Sequence, residues 1–299
     1  MTNKLYIIGN GFDRHHGIPS DYKDFGAYLE KTDYETYQII ERYFPVNDQS
    51  WWQFEEMLAF FDTDTLIDDA SNFLVSYGAD DWSDSYHHDY QFELDSTVDA
   101  ISSTMRRHFA SWIRQLPIPK TQQLTNAIRV RIDPAAQFLN FNYTHTLQKT
   151  YCIDDAHILH IHGKADQPDS DIIIGHGWER EPEESLNHHI NQEEADTRVI
   201  EGNRIVDDYF SQTFKPCEKI IAKNSLFFAG LNTVQEILIM GHSLADVDAP
   251  YFQEIINNIN HATVKWTVSY HKDSTEAEER ICALGIDQKH VEYKRLLQF

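Results

Sequence analysis

"KLYIIGNGFDRHHGIPSDY", residues 4–22, opens with a short apolar run and then changes character. The run stops at Gly9. Gly11, Asp13, Arg14, His15, His16, Gly17 and Pro19 follow within ten positions. A short apolar run that ends at glycine suits a parallel strand buried on both faces. Glycines let a backbone come close to a ligand or to another backbone. Amides that lead into a helix attract a pyrophosphate. Three readings of the loop are open: a phosphate cradle, a metal site, or a tight strand-to-helix turn. Each predicts different company elsewhere.

Further runs of the same kind place the rest of a sheet. "QFLNFN" (137–142) and "ILIMG" (237–241) read as buried strands, and "HILHIHG" (157–163) and "DIIIGHG" (171–177) as two more. "TVKWTVSY" (263–270) and "HVEYKRL" (290–296) alternate near the carboxyl end. Between those two lies "STEAEERICALGI", a helix started by Ser274 and stopped by Gly285. "APYFQEIINNINH" is a second helix, so this end of the chain reads β-α-β-α-β. Residues 21–130 are rich in aromatics and acids at helical spacing and read as a helical insertion after the first strand. Inside it, 78–95 reads as a polar, mobile loop. A second insertion, 178–226, is acidic and reads as solvent-facing. The expectation is one α/β domain over 1–299, an open, mostly parallel sheet of Rossmann type carrying both insertions. In such sheets ligands bind beyond the carboxyl ends of the strands.

The chain has 299 residues, 48 acids against 25 bases, and a formal net charge of −23. That surface repels nucleic-acid phosphates and anionic lipid, so direct nucleic-acid binding and membrane association are not expected. A local basic pocket for a nucleotide is still compatible with it. Cys152, Cys217 and Cys282 are far apart and form no CxxC pair, which supports neither a zinc ribbon nor a disulfide framework. Free cysteines fit a reducing cytoplasm. No apolar stretch approaches the ~20 residues of a membrane span. The amino terminus lacks the basic start and apolar core of a signal peptide.

Three further segments leave strand ends. In "FNYTHTL" (141–147), the Asn142 amide can hold ribose hydroxyls or a water, or Asn142 and Thr144 can simply cap a helix. In "LHIHG" (159–163), strand alternation puts His160 and His162 on one face. His162 precedes Gly163 and should protrude past the sheet edge, where a histidine can act as a general base. His160 reads as the structural hydrogen-bonder. In "GHSLADVDAPYF" (241–252), Ser243 can reach a phosphate and Asp246 a ribose hydroxyl, or both can serve as helix caps.

Taken in order, the four segments resemble the sirtuin-like NAD-binding family, with its GAGxSxxSGIPDFR-type loop, TQNID-type segment, HG pair and GTSL-type turn. "IIGNGFDRHHGIPSDYKDF", "FNYTHTL" and "IHG" more closely resemble the AbiH proteins, named for abortive infection of phage-infected bacteria. The resemblance implies a sirtuin-like NAD-binding fold, with Asn142 and His162 at the positions of the catalytic Asn and His. It implies that Gly9, Asn10, Gly11, Asp13, His16, Gly17 and Thr144 line one side of the NAD. Gly163, Gly241, Ser243 and Asp246 would line the other. Deacylating sirtuins carry a four-cysteine zinc module between the HG pair and the GTSL turn. Here that interval holds only Cys217, which argues against protein deacylation. Prokaryotic defence relatives without the module typically cleave NAD. The sirtuin loop's small residue and Ser are here Asn10 and Asp13. An acid beside a pyrophosphate is unexpected, so Asp13 either holds a ribose hydroxyl, bonds Arg14 or His16, or orders the loop.

The expected function is therefore hydrolysis of NAD to nicotinamide and ADP-ribose by an anti-phage effector, with NAD as substrate and no metal. A homo-oligomer or a defence-system partner protein is the expected company. A non-catalytic sensor of NAD or an ADP-ribose-like nucleotide is the second reading. A metal-dependent hydrolase built on His157, His160, His162 and His176 is the third, although their spacing matches no known metal motif.

Overall fold

A computed structural model describes residues 3–46, 51–80, 83, 86–126, 128–167, 171–191, 193–260 and 262–299, all but the side chain of His87. The chain divides into two compact units. One comprises the residues up to Asp21 with Ala110–Ile173 and Pro216–Phe299. The other comprises Tyr22–Phe109 and Ile174–Lys215.

The first unit holds a six-stranded, all-parallel open sheet. Its strands are β1 (Lys4–Ile8), β2 (Gln137–Asn140), β3 (Ile158–His160), β4 (Glu236–Met240), β5 (Lys265–Tyr270) and β6 (Val291–Arg295). Their order across the sheet is β3-β2-β1-β4-β5-β6. β1 is central, with Leu5 beside Gln137 on one flank and Ile237 on the other. Its unbroken apolar run follows from this position. Leu5 and Ile7 join one buried cluster with Phe141, Ile239, Tyr251 and Trp266. Tyr6 and Ile8 join a second, on the other face, with Phe12, Phe138 and Leu147. A strand covered on both faces has no position for a polar residue.

The carboxyl-terminal β-α-β-α-β reading matches the structure. The helices Ala249–Asn258 and Thr275–Ala283 link β4 to β5 and β5 to β6. Gly285 ends the second of them at φ +77°. Two expected elements differ. "DIIIGHG" is not a strand of the sheet: the Ile173 amide bonds the His162 carbonyl at 2.9 Å, and His176 makes only an isolated bridge with Phe214. Ile172 and Ile174 are buried and Ile173 half-buried as covering chain, so hydrophobicity alone misassigned them. The stretch 78–95 is not all loop, because a helix runs from Tyr86 to Asp99. Residues 81, 82, 84 and 85 of that expectation lie outside the described residues.

In the second unit that helix packs on the helix Thr197–Thr213. Gly202 makes the approach, since a Cβ there would meet Tyr90 Cε1 at 2.4 Å. Tyr90 and Leu94 recur at helical spacing and are buried, which the surrounding acids hide in the sequence. The stretch 178–226 is likewise less solvent-facing than its charge implies. Its helix buries Ile200, Val206, Tyr209 and Phe210. Lys215, fully buried, is neutralised by Glu55, which also accepts from the Tyr22 hydroxyl.

Candidate functional site

The carboxyl ends of β1, β2 and β4 meet around three glycines. Gly9 leaves β1 and starts the helix Asn10–His15. A Cβ on Gly9 would lie 2.5 Å from His242 Cα, and one on Gly11 would lie 2.9 Å from Gly241 Cα. Gly241 itself sits at φ +68°, where glycine has no steric penalty. The Gly11 amide donates to the Gly241 carbonyl at 2.7 Å, and the Phe12 amide to the Gly9 carbonyl at 2.9 Å. The glycines thus serve loop-to-loop packing, and two amides expected for a pyrophosphate are taken by the protein's own backbone. Asn10 clamps the same loop: its side chain donates to the Ser20 carbonyl at 2.9 Å and accepts from the Ser20 hydroxyl at 2.5 Å. Gly17, exposed at φ +74°, lets the chain turn out of the helix.

Asp13 is 1% exposed. Its Oδ2 accepts from the Thr144 hydroxyl at 2.6 Å, and Thr144 in turn lies 3.1 Å from the Thr146 hydroxyl. Arg14 pairs instead with Asp21 at 3.0 Å, and His16 is held by the Phe12 carbonyl and the Tyr151 hydroxyl. Of the three roles open to Asp13, ordering the loop is the one the hydrogen bonds realise. Its Oδ1 has no hydrogen-bond partner among the described residues, so it keeps one acceptor in hand. Burial pushes its carboxyl up to about 6, against the hydroxyl bonds that lower it.

Asn142, 7% exposed, donates from Nδ2 to the Gly9 carbonyl at 3.1 Å and so ties β2 to the opening loop. His162 does not protrude. It is 3% exposed and packs edge-on to Phe141 and Tyr251 at ring separations of 5.3 and 5.5 Å. Nor does it share a face with His160. β3 ends at His160 and a turn follows, with the Gly163 amide on the His160 carbonyl and Gly163 at φ +86°, so strand alternation no longer applies. His160 sits by Asn142 and Gln148, bonding the Asn142 carbonyl through Nδ1 at 3.0 Å and Gln148 through Nε2 at 3.0 Å. It is the structural hydrogen-bonder expected of it. His176, in the second unit, bonds Thr213. Among the described residues no group of three or more His, Cys, Asp or Glu is arranged to hold a metal ion.

On the β4 loop the structure picks different residues from the sequence reading. Ser243 is exposed. Asp246 turns out to solvent and pairs with Arg280 at 3.2 Å. The inward residues are His242 and Asp248, both buried. Asp248 Oδ2 lies 3.4 Å from His242 Nε2, and Oδ1 lies 3.8 Å from His162 Nε2. The available signal was an alternation around the "GHSLADVD" turn that only a known turn geometry could decode. Two hollows, of about 730 and 460 Å3, are lined by other residues; the first shares Tyr151 with the His16 contacts.

Gly9, Asn142, His162, Gly241 and Asp248 therefore converge at the strand ends, and the family description Bacteriophage abortive infection AbiH matches residues 5–270. The chain belongs to the AbiH family. Every strand end of this AbiH site lies within the matched range, and only β6 falls beyond it. No curated protein and no solved structure matches the chain. No helix among the described residues of this AbiH chain is long and apolar enough to cross a membrane.

The buried titratable groups set an acid dependence. Burial pushes His16 and His160 down to about 4 from the usual 6.5. Their neutral forms stabilise the fold above pH 6.5, and that contribution is lost as pH falls toward 4. Asp13 acts in the opposite sense. Raised from 3.8 to about 6, it stabilises most below 3.8, and that contribution is lost as pH rises through 6. Near pH 5 the unfolded chain takes up two histidine protons while the native chain holds one extra proton on Asp13. From these three groups the stability slope is about 1.4 kcal/mol per pH unit, and Asp13→Asn should raise the measured slope by about the same amount. Urea midpoints between pH 4.5 and 6 measure both slopes. Parallel slopes would mean that Asp13 titrates as an ordinary carboxyl.

Proposed function

We propose that this AbiH chain hydrolyses NAD to nicotinamide and ADP-ribose and so depletes the cofactor in phage-infected cells, through a sirtuin-like NAD-binding site. The observation that carries the reading is the strand order β3-β2-β1-β4-β5-β6. Dinucleotides bind open parallel sheets of this order across the crevice where the order reverses, here between β1 and β4. That is where Gly9 and Gly241 meet, with Asn142 beside them. Breaking the nicotinamide–ribose bond sends the bonding pair to nicotinamide and leaves positive charge on the sugar. Water adds to the anomeric carbon and its proton goes to a base. In this reading Asn142 orients the ribose or the water, His162 takes the proton, and Asp13 Oδ1 accepts from a ribose hydroxyl.

The test is nicotinamide release from NAD by the purified chain, alone and with lysate of phage-infected cells, beside Asn142→Ala. Release by the natural chain and its loss in the variant are expected. No release under either condition removes the hydrolase reading. One observation favours a sensor instead: Asp13, Asn142 and His162 are all buried, so a ligand must displace covering chain before it is held. Calorimetry separates the two, since NAD binding without turnover is the sensor's result.

A further inference from the structure

We infer that the larger hollow, at the end of the helix Thr146–Tyr151, is a second ligand site in which Arg129 and Arg131 hold the phosphate of a small phosphorylated molecule, and that Tyr151 reports its occupation to the opening loop. The inference does not depend on NAD hydrolysis.

Arg129, Arg131 and Pro134 line the hollow and stand just before β2 in the chain. The hollow therefore lies toward the amino end of that strand, away from the carboxyl ends where Gly9, Asn142 and Gly241 meet. Its volume of about 730 Å3 is that of a small-molecule pocket. The chain carries 48 acids against 25 bases, yet among the described residues no acid lines this hollow. Its charged lining residues are Arg129 and Arg131, both exposed. Among the described residues neither guanidinium makes a hydrogen bond or an ion pair. The nearest acid in the chain, Asp133, accepts instead from the Ala135 amide at 3.0 Å. The smaller hollow is the contrast. Its Glu236, Lys289 and Lys294 are already paired with Lys4, Asp287 and Glu292, at 2.8, 2.5 and 2.7 Å. A cleft lined by one sign of charge concentrates the opposite ion, and this one does so on a molecule that otherwise repels anions.

The donors select the anion. The Thr121 and Thr150 hydroxyls donate to the Thr150 and Pro119 carbonyls, so the two guanidiniums are the strong donors left. The two oxygens of a carboxylate fill one guanidinium fork, whereas a phosphate monoester has a third oxygen and a second charge to share with another. Ile132, Pro134 and Tyr151 give the body of the ligand an apolar wall.

Hydrogen bonds tie the arginine segment to the helix Asn10–His15 and the residue after it. His15 Nε2 donates to the Ile128 carbonyl at 3.0 Å. The Val130 amide, between the two arginines, donates to the Tyr151 hydroxyl at 3.2 Å. His16 Nδ1 faces the Phe12 carbonyl at 2.7 Å and so carries the ring proton. Nε2 is then the acceptor of the Tyr151 hydroxyl at 2.6 Å. Burial pushes the Tyr151 phenol up, while the Val130 amide and the Arg129 charge pull it down. A phosphate that draws Arg129 away changes the field at that hydroxyl, and any shift of Val130 passes through it to His16.

Calorimetry of the full chain with ADP, pyrophosphate, citrate and adenosine tests the site. ADP and pyrophosphate should bind, citrate about 10-fold more weakly than pyrophosphate, and adenosine not at all. Arg129→Gln and Arg131→Gln should each weaken ADP by about 10- to 100-fold, the worth of a hydrogen bond to a charged group. Both side chains are exposed, so the variants should keep the natural urea midpoint. A chain that binds neither ADP nor pyrophosphate overturns the site, as does an affinity unchanged in both arginine variants. ADP binding abolished by Asn142→Ala and untouched by either arginine variant belongs to the strand ends and overturns it too. Citrate as tight as pyrophosphate, or adenosine as tight as ADP, overturns the phosphate assignment. Spectra of the chain labelled with 15N-histidine check the link. The His16 signals, identified by their absence in His16→Gln, should move when ADP is added and stay still in Tyr151→Phe. Unmoved His16 signals in a chain that binds ADP through the arginines overturn the link.

Discussion

Gly241→Ala should destabilise the sheet-bearing unit by about 4 kcal/mol or more, the size reserved for strained or overpacked positions. Two costs add. At φ +68° a Cβ carries a left-handed penalty of about 1–2 kcal/mol. The new methyl would also lie 2.1 Å from the Phe12 amide nitrogen and 2.8 Å from Gly11 Cα, which are backbone atoms. Those atoms cannot yield cheaply. The Gly11 amide is bonded to the Gly241 carbonyl, and the Gly241 amide donates to Ser269 Oγ at 2.7 Å. Gly285→Ala is the matched control. It has φ +77° but nothing within 4 Å of the added carbon, so it should cost only the conformational part, about 1–2 kcal/mol. Urea midpoints of the two variants give the difference. Equal losses would show that the β1 and β4 loops are not in contact as described.

If the chain hydrolyses NAD as proposed, His162→Ala should lower nicotinamide release by about 10²–10⁴-fold in kcat, the usual worth of a positioned general base. KM should stay close to the natural value, because a group that works only in the transition state does not hold the ground state. Removing a buried ring also leaves a cavity beside Phe141 and Tyr251. Thermal midpoints of His162→Ala and the fuller His162→Gln separate lost packing from lost chemistry: both variants should be inactive, but His162→Gln should unfold later. Turnover in His162→Ala equal to that of the natural chain would sink the assignment of the base.

Much of the fold was legible because its signals are local. Apolar runs ending at glycine located β1 and β4, and the β-α-β-α-β end followed from caps and alternation. "DIIIGHG" misled because burial and strand pairing leave the same mark on a sequence. The helix Tyr86–Asp99 hid because its buried residues are interleaved with acids. The site was legible by segment and less so by side chain. Asn142 meets Gly9 across the sheet as the order of segments implied. On the β4 loop, Ser243 and Asp246 looked functional and face out, while His242 and Asp248 face in. The left-handed turn at Leu244 inverts the expected pattern, and nothing in a leucine announces it.

Asp13 marks the boundary between the two kinds of information. The sequence by itself determined that an acid stands in a glycine loop after the first strand, and that Asn142 and the His162–Gly163 pair closely follow other strands, because those are properties of short stretches. It also determined that β1 is buried on both faces, through an apolar run without alternation. Only the tertiary structure decided that Asp13 is locked to Thr144, that the three glycines serve each other's approach, and that Asp248 stands between two histidines. Apart from Asp248 with His242, which share the β4 loop, those contacts join residues separated by the length of a whole crossover or more. Their partners are chosen by strand order and turn geometry, which pack distant loops together after the local elements have formed.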